Sequence, residues 1–235
     1  MNPIDLSSST ALVTGANRGF GRHLAEQLAA RGAKVYAGAR RPETVDLDGV
    51  TPLRIDITDP ASVAAAAAEA GDVTLLINNA GIGTGASVLT GDIDDVRLEF
   101  DTHVFGTLDV TRAFVPVIER NGGGAILNVL SVLSWITVPT LGGYSAAKSA
   151  EWSMTNALRA ELAPRNIRVS GLHVGYMDTD LAAGVEGPKL DPATVAELAL
   201  DQVAAGTPEI LADELSERVR AGLAGGVAAL YPTLA

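Results

Sequence analysis

The chain has 235 residues, a formal net charge of -11, 47% hydrophobic residues and no cysteine. The length suits one α/β domain that buries roughly 70% or more of its unfolded surface, so it needs no covalent staple. The missing cysteines exclude disulfides and thiolate zinc sites. The acidic balance argues against nucleic acid as a partner, because such binders neutralise phosphates with basic patches. No run of about 20 apolar residues is present to cross a bilayer, and MNPIDLSSSTALVTG lacks the basic and apolar regions of a secretory signal. A cytoplasmic protein without membrane attachment is expected.

In chain order, strands are predicted at TALVT (10–14), AKVYAGA (33–39), PLRID (52–56), VTLLIN (73–78), GAILNVL (124–130), IRVSGLHV (167–174) and EILA (209–212). Helices are predicted near 19–31, 60–70, 94–120, 144–164, 192–205 and 213–223. AAAAAEA (64–70) reads as helix, and GDIDD (91–95) puts acidic side chains at the positive end of the next one. Nearly continuous apolar strands alternating with helices predict an α/β fold: a Rossmann-like, doubly wound parallel sheet of about seven strands flanked by helices. Nothing divides the chain, so 1–235 is expected to be one domain. Within it lie a substrate-side segment at about 175–207 and a C-terminal strand and helix at 209–226.

TGANRGFG (14–21) follows the first strand and opens the first helix. There Gly15 permits a tight turn, while Gly19 and Gly21 let the backbone approach a pyrophosphate at the helix N-terminus. The second strand ends at Ala39-Arg40-Arg41 rather than at an acid. An acid would repel a ribose 2′-phosphate and an arginine can bind it, so Arg40, with Arg18 as a second cation, points to NADP(H).

Tyr144 and Lys148 in GGYSAAKSAEWS stand one helical turn apart, on one face. A phenol ordinarily titrates near ~10, and a neighbouring ammonium favours the phenolate. Ser131 ends the fifth strand thirteen residues before Tyr144, where such sheets bind ligands.

The T-G-x-x-x-G-x-G spacing with Ser131, Tyr144 and Lys148 resembles the short-chain dehydrogenase/reductase family from Thr10 to about Thr179. The resemblance implies a reversible oxidoreductase of the NADP(H)-preferring carbonyl reductase or alcohol dehydrogenase type. Ser131 would polarise the substrate carbonyl, Tyr144 would act as acid/base, and Lys148 would hold the nicotinamide ribose and lower the tyrosine pKa. It also implies a cofactor-binding set comprising Gly15, Asn17, Arg18, Gly19, Phe20, Gly21, Arg40, Ile57, Ala80, Gly175, Tyr144 and Lys148. Asp56 would hold the adenine amino group, with a local capping role as the alternative and Asp59 the better cap. Asn78 and the backbone through Gly81, in NNAG, would line the adenosine ribose, and Thr179 would bond the carboxamide. A homodimer or homotetramer is implied.

Three departures stand out. His103, in FDTHVFG, occupies the place of the family's fourth catalytic residue, an asparagine; it is either a proton relay or a packed side chain. Val174 replaces the usual proline before Gly175, and EILADELSERVRAGLAGG (209–226) replaces the usual C-terminal end. The first two, His103 and the missing proline, motivate a second reading, a catalytically weak NADP(H)-binding regulatory protein. A sugar-nucleotide epimerase has a different glycine spacing, and no G-x-S-x-G elbow supports a hydrolase.

Leu133, Ser134, Trp135, Ile136, Leu141, Tyr176 and Leu181 form the expected pocket wall, apolar and without a cation. That favours a neutral, apolar carbonyl or alcohol substrate. His23 and His173 have no partners at metal-ligand spacing, so no metal is expected.

Overall fold

The structure is a computed structural model and describes residues 3–232. Seven strands are β1 (Thr10–Thr14), β2 (Lys34–Ala39), β3 (Thr51–Arg54), β4 (Leu75–Asn78), β5 (Gly124–Val129), β6 (Ile167–His173) and β7 (Glu209–Leu211). They pair in the order β3-β2-β1-β4-β5-β6-β7, and every pairing is parallel. The central strands are buried on both faces: all four residues of β4 and all but the first of β1 and β5. This accounts for their continuous apolar runs. Only edge strand β3 exposes most of its residues, and it accommodates Pro52.

The helices are α1 (Gly19–Ala30), α2 (Pro60–Glu69), α3 (Ile93–Phe100), α4 (Thr107–Arg120), α5 (Gly142–Leu162), α6 (Pro192–Ala205), α7 (Glu214–Gly222) and α8 (Gly226–Leu230). Leu24 and Leu28 of α1 and Val195, Leu200 and Val203 of α6 cover one sheet face. Val63 of α2, Phe114 and Ile118 of α4 and Leu158 of α5 cover the other. Asp92 caps α3 and Asp59 caps α2, each accepting a backbone N–H two residues on.

The expected helix over 94–120 is not continuous. Asp101–Gly106 forms a π-helical turn between α3 and α4. Such turns alter the direction of nearby side chains and recur at functional sites. Here the turn carries His103, which is 1% exposed. The strand expected over 73–78 begins at Leu75, and the one over 52–56 stops at Arg54; β-propensity defines strand ends poorly.

The strand order reverses between β1 and β4, so a crevice opens at their C-terminal ends. The glycine-rich turn after β1, NNAG after β4, and Ser131 after β5 all lie at that edge of the sheet. Among the described residues, no helix is long and apolar enough to cross a membrane.

Candidate active site

The glycine-rich turn is shaped by close approach. Gly15 and Gly19 have φ of 67° and 54°, the left-handed region that side chains disfavour. A Cβ on Gly21 would lie 2.3 Å from the Gly15 carbonyl oxygen, so only glycine fits. Asn79 fastens this turn to NNAG: its Nδ2 donates to Thr14 O at 2.9 Å and Gly15 O at 3.3 Å. Thr14 Oγ1 accepts from the N–H groups of Asn79 and Ala80, each at 3.0 Å. No side chain caps α1, so its first N–H groups face the crevice as an anion cradle. These features fit the pyrophosphate of a dinucleotide.

The expected cofactor residues divide into two groups. Gly15, Gly19, Gly21, Ala80, Gly81 and Thr179 converge on the crevice; the Thr179 methyl lies 3.7 Å from where a Gly19 Cβ would sit. Asn17 is beside them, donating to Thr44 at 3.1 Å, and Arg40 is exposed just past β2. Phe20 and Ile57 are buried in the core, leaving only backbone for a ligand. Asp56 accepts from the Thr58 N–H and hydroxyl at 3.1 and 2.8 Å, a local turn contact. The Asn78 side chain turns inward and donates to Thr111 at 3.2 Å and to Asn128 at 2.9 Å. Any contact to a ribose there would fall to the backbone after it. Arg18 pairs with Asp180 at 3.2 Å across the crevice, both largely exposed. Gly175 N donates to Asp213 Oδ2 at 2.7 Å. The loop without the usual proline is thus held by the residue that caps α7.

The three residues expected to react, Ser131, Tyr144 and Lys148, come together at the end of β5. Ser131 caps a short turn, its Oγ accepting from Leu133 N at 3.1 Å. Lys148, 5% exposed, donates to Val129 O at 2.8 Å and to Glu151 Oε2 at 2.7 Å. Its Nζ is 5.9 Å from the Tyr144 ring centre. Burial pushes the Tyr144 phenol above its usual pKa; Lys148 and a hydrogen bond to Ser131 pull it down, and Glu151 opposes them. The expected net acidification by Lys148 is therefore not what the side chains produce. Burial pulls Lys148 down, but Glu151 and Tyr144 outweigh it and hold its pKa above the usual value.

His103 packs edge-on against Tyr144, with ring centres 5.2 Å apart. A Cβ on Gly81 would strike His103 Cε1 at 2.7 Å, so the glycine makes room for the ring. His103 Nε2 lies 2.9 Å from Ile82 O and 3.3 Å from Glu99 Oε2. Nε2 also lies 3.4 Å from the Ile82 N–H, and the contacts to Ile82 O and Glu99 need the proton on Nε2. Glu99 Oε1 also accepts the Thr84 N–H and hydroxyl at 2.7 and 2.9 Å. Burial raises the Glu99 pKa, but these donors outweigh it and keep the carboxyl below its usual range.

The expected pocket wall is partly reassigned. Leu133 and Trp135 are buried against α7, with Val219. Ser134 Oγ accepts Ser131 N at 3.3 Å, making it a brace for Ser131. Leu141 is half-buried, and Tyr176 and Leu181 are exposed, with Leu181 beside Gly83. His173 lies behind Ser131: its Nδ1–H donates to Ser131 O at 3.1 Å, and its ring stacks on Trp135 at 3.7 Å. Burial lowers the His173 pKa to about 4. His23 lies on α1, 4.0 Å from Glu26. Among the described residues, no group of three or more acidic or histidine side chains could hold a metal ion.

Glu99, Glu151 and Asn79 were not singled out in the sequence. Glu99–His103 and Lys148–Glu151 have helical spacing that could have marked them; the Asn79 contacts span distant segments and had no local signal.

Residues 9–189 match the family model described as short chain dehydrogenase. The chain belongs to the short-chain dehydrogenase family. A short-chain dehydrogenase from Burkholderia cenocepacia J2315, in complex with NADP, superimposes with a TM-score of 0.94 at 40% identity, covering 98% of this chain and 99% of that one. A 3-ketoacyl-(acyl-carrier-protein) reductase from Brucella melitensis, complexed with NADH, has a TM-score of 0.81 at 31% identity, covering 88% and 96%. A 3-ketodihydrosphingosine reductase from Bacteroides thetaiotaomicron is 33% identical over 72% of this chain, which spans 64% of that protein's length. As a short-chain dehydrogenase, the protein is an oxidoreductase.

Proposed function

We propose that this short-chain dehydrogenase is an NADPH-dependent carbonyl reductase, working reversibly on neutral, apolar ketones and the corresponding secondary alcohols. The observation that carries the reading is the meeting of Ser131, Tyr144 and Lys148 at the end of β5, beside an uncapped glycine cradle. NADP(H) would supply the hydride chemistry. The N–H groups at the start of α1 would bind its pyrophosphate and Arg40 its 2′-phosphate. Arg18 would join only by exchanging Asp180 for phosphate. The NADP in the Burkholderia relative supports that choice.

Ser131 Oγ would donate to the substrate oxygen as negative charge develops there. Tyr144 Oη would give that oxygen its proton, and its raised pKa suits a phenol that arrives protonated. Lys148 Nζ would hold the nicotinamide ribose. Exposed Tyr176 and Leu181 give the mouth an apolar rim, consistent with an uncharged substrate. A cytoplasmic homo-oligomer is part of the same reading.

The test is a panel of ketones, aldehydes and imines followed by NADPH absorbance. Turnover confined to imines, or none with any carbonyl compound, would reject the assignment. The second reading, a weakly catalytic dinucleotide-binding regulator, draws on the Lys148–Glu151 pair and on His103 in place of asparagine; dinucleotide binding without turnover would favour it.

A further inference from the structure

The Tyr144–Lys148 couple has a buried third member. Glu151 lies one turn beyond Lys148 on α5 with its side chain 2% exposed, and its Oε2 is 2.7 Å from the ammonium. Val129 O, 2.8 Å away, is the other acceptor. A buried ammonium facing one neutral carbonyl is costly, and a carboxylate at hydrogen-bond distance offsets that cost.

The turn carrying Glu151 is itself fixed. Thr155 Oγ1 donates to Glu151 O at 2.8 Å, Asn128 Nδ2 donates to Thr155 at 2.9 Å, and Asn78 donates to Asn128. A buried polar chain therefore ties this part of α5 through β5 to β4.

Resting on the carbonyl reductase reading, we propose that Glu151 is a positioning residue of the reacting centre. Its carboxylate anchors Lys148 and, with the half-buried Tyr144, completes an electrically neutral unit whose proton release it governs. With a protonated phenol, an ammonium and a carboxylate, the unit has no net charge. Removing the carboxylate charge leaves a positive unit. Such a unit sheds its first proton at lower pH, whichever of the two holders releases it. The other titratable groups facing it are His103, edge-on to Tyr144, Glu99 behind His103, and His173 behind Ser131.

The experiment compares Glu151→Gln, which keeps the volume, with Glu151→Asp, which keeps the charge. The pH profile of kcat for carbonyl reduction is measured with saturating NADPH. In Glu151→Gln the alkaline limb should move down by about one pH unit, a roughly tenfold loss at fixed pH on that limb. Glu151→Asp should restore most of it. A profile of wild-type shape scaled down equally at every pH, or equal behaviour of the two variants, overturns the proposal.

Two readouts need no turnover: the Tyr144-dependent tyrosinate absorbance, taken against Tyr144→Phe, and the pH dependence of Lys148 acylation by acetic anhydride, read by peptide mass spectrometry. One of them should shift to lower pH in Glu151→Gln. If neither moves, Glu151 fails even where the enzyme is active. If one moves in a protein that reduces no carbonyl compound, the reductase reading fails and the neutral unit stands.

Discussion

The glycine-rich side and the Tyr144 side of the crevice are built by different means. Around Gly15, Gly19 and Gly21, backbone does the work: positive φ, a contact with no room for a Cβ, and N–H groups at a helix start. Around Tyr144, side chains do it: the buried Lys148 ammonium pulls the phenol pKa down, and burial with the Glu151 and Glu99 carboxylates pushes it up. A cradle made of backbone tolerates changes in its surroundings. A cluster of coupled charges responds to each member.

The largest expected effect tests this difference directly. Tyr144→Phe should lower kcat by about 10³-fold, the usual scale for losing a general acid. Dinucleotide affinity by calorimetry should stay within a few-fold of wild type; full turnover in the mutant would remove Tyr144 from the chemistry. Arg40→Asp should do the reverse. Ratios of kcat/KM for NADPH over NADH should fall about 10- to 100-fold, the value of one or two charge-assisted hydrogen bonds, while kcat with NADH persists. Equal preference in the parent protein would count against Arg40 as the phosphate ligand.

A smaller effect concerns stability. His173 titrates near 6.5 unfolded and about 4 folded, so its contribution is present above pH 6.5 and is lost as pH falls toward 4. Between pH 7 and pH 5 this amounts to roughly 2 kcal/mol. Urea midpoints for wild type should record that loss, and His173→Gln should flatten it; parallel curves would show that Ser131 has no such support. The smallest effect is expected at the exposed Arg18–Asp180 pair. Asp180→Asn should change thermal stability little and lower KM for NADPH by at most about threefold, because exposed ion pairs contribute weakly. A large rise in KM would mean that Asp180, rather than solvent, orients Arg18 for the cofactor.

The sequence alone determined the alternation of strands and helices along the chain, the glycine-rich turn, and the spacing of Ser131, Tyr144 and Lys148. Those features depend on local periodicity, turn chemistry and fixed spacing, which are properties of neighbours in the chain. The tertiary structure alone decided where Asn78, Trp135 and His173 face, that Asp213 holds the loop at Gly175, and that a π-helical turn aims His103 at Gly81. It also decided the direction of the Tyr144 pKa. Helical spacing puts Lys148 beside the phenol, but burial and the Glu151 carboxylate act against it. The net sign depends on how much water the packed core excludes, and on how closely charges from separate elements approach once it has.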